Sequence, residues 1–170
     1  WNPHFHFLVF RVPTLLDARK NSAKLHRLGI FRQSPCQIVA LAIWAAITIA
    51  CSLFFGLLAP FLGVDGPDES MVTMANTTQF PILLFLGVAI GAPLVEEFMF
   101  RGAGGIELGL WGTLGLTSFF WAILHLQYPP VIIAYIFCLG LILGLAREKT
   151  GNLWIPVWMH AVNNGIATFE

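Results

Sequence analysis

Residues 36–64 read CQIVALAIWAAITIACSLFFGLLAPFLGV, and no residue between Arg32 and Asp65 carries a charge. An apolar run of about 18 residues or more is long enough to cross the hydrocarbon of a bilayer as a helix. The spacing predicts a first membrane span over 37–58, ended by Pro60 and Gly63. The next stretch, DGPDESMVTMANTTQ (65–79), is polar and acidic and lacks Lys and Arg. It is expected to be a loop on the outer side.

Four more apolar segments follow in the same manner. A second span opens near Phe80 and contains FPILLFLGVAIGAPLVEEFMFRG. A third covers 111–126, WGTLGLTSFFWAILHL. Tyr128, Pro129 and Pro130 form a tight turn, because proline cannot continue a helix and restrains the residue before it. A fourth covers 131–146, VIIAYIFCLGLILGLA, and a fifth starts at Leu153. These runs are too long and too continuous for barrel strands, and backbone in lipid must satisfy its own hydrogen bonds. The expected fold is all-α, a polytopic transmembrane helix bundle of about five spans. Gly140 and Gly144 have GxxxG spacing, which allows close helix contact; glycine is also simply common in membrane helices.

Composition agrees. Of 170 residues, 57% are hydrophobic and 11% charged, against about a quarter charged in soluble domains. Disorder, a coiled coil and a nucleic-acid module are excluded. Zero net charge hides an asymmetry: residues 1–35 hold six basic residues against Asp17, a balance of +5, and the remainder carries −5. A basic leader before the first span places the N-terminus on the cytoplasmic side, and the Arg147–Lys149 loop falls on the same side. The organisation is a basic juxtamembrane segment (1–35) followed by a transmembrane core (36–170). Within the leader, residues 5–20 could lie in the interface as an amphipathic helix, and His4, His6 and His26 are expected at the surface. Because the chain begins at Trp1, it is expected to be part of a longer protein. Cys36, Cys51 and Cys138 lack CxxC spacing and are expected as buried free thiols.

Ionisable residues inside a membrane are costly and are functional candidates by default. Three spans supply them: Glu96, Glu97 and Arg101; His125; and His160 with Asn163 and Asn164. Glu97 and Arg101 are four apart, share a helix face and can pair as a structural clamp. Glu96 lies about 100° further round, free to face another cavity, where burial suits a general base. Its bland alternative is a second partner for Arg101. Trp121 with His125, and His160 with Asn164, repeat the four-residue spacing. His and Asn side by side offer donors for an oxyanion. Glu96, His125 and His160 could instead hold a divalent metal such as zinc with an open position for water. Pro93 interrupts the helix ladder near Ile90–Gly91, which permits bending or water entry beside the acids. Spans 1 and 4 offer almost no polar residues, which argues against a transport path through the membrane.

These motifs, EExxxR at 96–101, WxxxH at 121–125 and HxxxN at 160–164 behind TGNLW, resemble the CAAX prenyl protease and bacteriocin-processing (CPBP, Abi) family of intramembrane proteases. The resemblance covers about residues 80–165. It implies an endopeptidase acting near the C-terminus of prenylated or otherwise membrane-associated substrates, with lipid and a membrane-tethered peptide as partners. It further implies that Glu96 and His125 activate water, that His160 and Asn164 stabilise the oxyanion, and that Glu97, Arg101 and Trp121 support the site. Metal-dependent and metal-free chemistry are both compatible with it. The family pattern has Phe where this chain has Trp121, a change expected to alter pocket size rather than chemistry. A non-catalytic immunity or scaffold protein of the same fold is the alternative. The depths of Glu96 and His125 disagree in a simple zigzag of spans. The second helix is therefore expected to continue past Arg101 towards Gly104–Gly105.

Overall fold

A computed structural model describes residues 35–64, 69–102 and 109–168. The basic leader with its three histidines and the expected 5–20 helix lie outside the described residues, as do Gly104–Gly105 and the side chain of Cys36.

Among the described residues every regular element is helical. The order is α1 (Pro35–Leu58) with a 3-10 turn at Ala59–Leu62, α2 (Glu69–Thr77), α3 (Pro81–Gly102), α4 (Gly109–Ile123), α5 (Pro130–Thr150) and α6 (Trp154–Ala167). The five expected spans correspond to α1, α3, α4, α5 and α6. Three helical stretches, Gln37–Leu62, Pro81–Gly102 and Pro130–Thr150, are long and apolar enough to cross a membrane; α4 is apolar but shorter. Two expectations need correction. The stretch 65–79 is not all loop, because α2 forms within it. It contains no glycine or proline from Glu69 to Thr78 to stop a helix. The third span ends early: the helix stops at Ile123, and residues 124–127 continue as tight turns, so His125 sits just beyond α4.

The bundle is apolar outside as well as inside. Ile38, Leu57, Ile82, Leu83, Trp111, Phe119 and Phe120 are all exposed. A soluble monomer does not present so much contiguous apolar surface; hydrocarbon is the medium that matches it. The chain is a membrane protein.

Inside, α5 is the central helix, packing on α1, α4 and α6. The core joins Trp121 and Ala122 of α4, Ile136, Leu139, Leu143 and Ala146 of α5, and Ile155 and Met159 of α6. Gly140 and Gly144 face α4. A Cβ at Gly140 would lie 2.9 Å from the Cβ and Oγ of Ser118, and one at Gly144 would strike Leu114. The GxxxG spacing is thus a contact surface. Gly151 then ends α5 in the left-handed region (φ 63°), its N–H bonded to the Arg147 carbonyl. Asn152 accepts the N–H of Trp154 on Oδ1, which starts α6. TGNLW is therefore a helix stop followed at once by a helix start.

Candidate active site

Helix α3 carries the acidic motif and is not a uniform α-helix. It is α over Pro81–Leu86, π over Gly87–Gly91, α over Ala92–Glu97 and π again over Phe98–Gly102. Pro93 was expected to break the ladder near Ile90–Gly91, and the first π segment lies there. The bond pattern supplies the reason. The Ala92 N–H bonds the Gly87 carbonyl five residues back, leaving the Val88 carbonyl without its usual donor. The next candidate, Pro93, has no N–H. Asn164 of α6 fills the gap: its Nδ2 donates to the Val88 oxygen at 3.1 Å. Single π turns recur at functional sites because they re-aim side chains within one helix.

Glu97 is fully buried and makes two bonds through one oxygen. Arg101 Nη1 donates to Oε1 at 3.0 Å, and His160 Nδ1 lies 3.0 Å from the same atom. A carboxylate only accepts, so Nδ1 of His160 carries its proton. Arg101 also donates from Nη2 to the Gly140 carbonyl at 3.2 Å. Its guanidinium sits 4.7 Å over the Trp121 ring. The expected Glu97–Arg101 clamp is present. It extends to α5 and α6, which sequence spacing alone did not show.

Glu96 faces elsewhere, as the 100° step implies. It is not bonded to Arg101. Its Oε2 accepts the indole N–H of Trp121 at 2.5 Å and stands 4.0 Å from Nε2 of His160, with the side chain 25% exposed. The Trp121 ring also packs edge-to-face on His160 (5.1 Å) and His125 (5.5 Å). Nδ1 of His125 lies 2.8 Å from the Trp121 carbonyl, so that nitrogen too is a donor. Tyr128 stacks on His125.

Three helices thus bring Glu96, Glu97, Arg101, Trp121 and His160 into mutual contact. His125 joins through Trp121. Asn164 is one turn beyond His160 and spends one amide hydrogen on α3 rather than on another motif residue. Trp121 does more than adjust volume, contrary to expectation, because its N–H reaches Glu96. Among the described residues no three of His, Cys, Asp and Glu converge as a metal cage. Glu96, His125 and His160 do not form such a group.

A second polar cluster went unnoticed in the sequence. Ser52 of α1, Tyr135 of α5 and Asn163 of α6 are mutually bonded: Ser52 Oγ lies 2.8 Å from Tyr135 Oη and 2.9 Å from Asn163 Oδ1, which also accepts from Tyr135. Spans 1 and 4 are therefore less barren than their composition suggested. The signal available was Ser52 four residues after Thr48, both in a charge-free run. Cys51 and Cys138 are free and half-buried rather than fully buried.

Comparison with known proteins adds a family match: residues 78–166 fit the family model described as type II CAAX prenyl endopeptidase Rce1-like. Similar proteins include "Uncharacterized protein YpbD" of Bacillus subtilis (strain 168), 32% identical over 88 residues, or 51% of this chain and 43% of the relative. Another is "Uncharacterized 24.3 kDa protein" of Escherichia coli, 36% identical over 89 residues, or 46% of this chain and 40% of the relative. Each match spans less than half of the relative's length. No solved structure matches the chain.

Proposed function

The chain belongs to the Rce1-like family of type II CAAX prenyl endopeptidases, and from that premise we propose that it is an intramembrane endopeptidase. Its substrates are CAAX-type or other membrane-associated chains, cleaved near the C-terminus. One observation carries the reading: Glu96 has one oxygen held by Trp121 and 4.0 Å from His160, and the other without a hydrogen bond among the described residues, inside a membrane helix bundle. A carboxylate so placed is available to take a proton from water.

The chemistry then runs on this chain's own groups. Glu96 accepts a proton from a water, and His125, whose ring packs on Trp121, is the second group that acts on that water. The water oxygen attacks the scissile carbonyl, and the carbonyl oxygen becomes an oxyanion. His160, oriented by the bond between its Nδ1–H and Glu97, turns Nε2 towards that oxyanion as its hydrogen-bond partner. Asn164 contributes its remaining amide hydrogen. Preorganised donors of this kind are worth about 10²–10³ in rate each. The proton on Glu96 finally passes to the leaving amine. Glu97 and Arg101 transfer no proton in this scheme; they fix His160 against α3 and α5.

Cleavage of a membrane-tethered peptide by purified protein in vesicles is the test. Glu96→Gln keeps the shape and removes the base, and a fall in kcat of about 10²–10⁴ is expected. Unchanged function in this variant would favour the non-catalytic, binding reading instead.

A further inference from the structure

We infer that Trp121 is a positioning residue for Glu96 and that its indole N–H, not its ring alone, is the working group. The inference rests on the endopeptidase reading above.

The indole joins α4 to α3 at Glu96, a carboxylate that makes no hydrogen bond to Arg101. Trp121 is 1% exposed, so water does not compete for its N–H. The ring has little freedom to turn away. Arg101 lies over one face at 4.7 Å, and His160 and His125 meet it edge-to-face. Gly140 approaches so closely that an added Cβ would stand 3.0 Å from the Trp121 Cε3 atom. A donor fixed in this way fixes its acceptor. It holds Oε2, the oxygen nearer His160, and so directs Oε1 to the remaining open side, where an attacking water must sit.

Glutamate has three rotatable side-chain bonds. An unrestrained Glu96 would spend much of its time turned from the water, and misplacement by about 1 Å can cost 10²-fold in rate. Phenylalanine, the residue of the family pattern at this place, would keep the stacking on Arg101 and the histidines but has no donor. The N–H is therefore this chain's own means of orienting its base, and the ring contacts serve to aim it.

The test separates donor from shape. Benzothienylalanine at position 121 has nearly the outline of tryptophan with sulfur in place of N–H. In the full chain, reconstituted in vesicles, this variant is expected to lose at least about tenfold in kcat with KM within about twofold, and Trp121→Phe to lose as much or more. In parallel, the indole N–H resonance of Trp121 is followed in ¹⁵N-labelled protein, assigned by its absence in Trp121→Phe. It is expected to move upfield in Glu96→Ala, a result that does not depend on turnover. An unmoved resonance overturns the proposal. A benzothienylalanine variant with wild-type kcat overturns it too, since the ring alone would then suffice. Wild-type protein that cleaves nothing while the resonance still moves would sink the endopeptidase reading, and the positioning role with it.

Discussion

Glu97 shows how much can depend on a single carboxylate. It neutralises Arg101, holds the Nδ1 proton of His160 and has no exposed surface. Removing it leaves two buried groups without their partner, and breaking a buried pair costs about 3–5 kcal/mol. Glu97→Ala is expected to lower the thermal unfolding midpoint in detergent by several degrees. Replacing both partners, Glu97→Met with Arg101→Met, should recover a large part of that loss, because no orphaned charge remains. If the double variant is as unstable as the single one, the clamp is not what holds these helices. At this scale the sequence was partly legible. Four-residue spacing paired Glu97 with Arg101. Nothing in that spacing pairs Glu97 with a histidine 63 positions away, because this depends on the rotation of α6 about its own axis. Tryptophan at 121 was read as bulk, and its donor became visible only when α3 placed an acceptor opposite.

For the helices themselves, apolar runs in the sequence located the three stretches that are long and apolar enough to cross a membrane. The π turns of α3 were less legible. Pro93 marks the neighbourhood, but which carbonyl each amide chooses is decided by the packing of α6. Pro93→Ala restores an amide at that position. It is expected to let the Val88 carbonyl find a backbone donor, releasing Asn164 and lowering kcat while the protein stays folded. Hydrogen exchange at residue 93 and activity measured together would check it; an exchange-protected amide with full activity refutes the coupling. Close packing of α4 on α5 gives a sharper contrast. Gly140→Ala meets the short Ser118 side chain and the Trp121 ring, which have nowhere to go, so a cost of about 1–3 kcal/mol is expected. Gly144→Ala meets the end of a flexible leucine and should cost less. Equal midpoints for the two variants would contradict this.

On the scale of the whole chain, we propose that the basic leader and the Arg147–Lys149 end of α5, which is helical rather than the expected loop, share the cytoplasmic side, with α2 opposite. Lys149→Cys and Thr77→Cys, made in a background lacking other accessible thiols, should react with a membrane-impermeant maleimide from opposite faces of sealed vesicles. The same face for both would reverse the topology. The family match begins at residue 78 and leaves α1 outside it. Yet α1 is tied to the matched part: Ser52 bonds Tyr135 and Asn163, and Gln37 accepts from Asn152. Each such bond is modest, averaging about 0.6 kcal/mol between membrane helices. Their loss matters more for what it uncovers. A shortened protein starting at residue 78 would lose the Ser52 and Gln37 bonds and turn towards lipid the side of α5 and α6 that packs on α1. Such a fragment is expected to recruit a sibling or another helix in place of α1, so the recognisable half of this protein should self-associate when made alone.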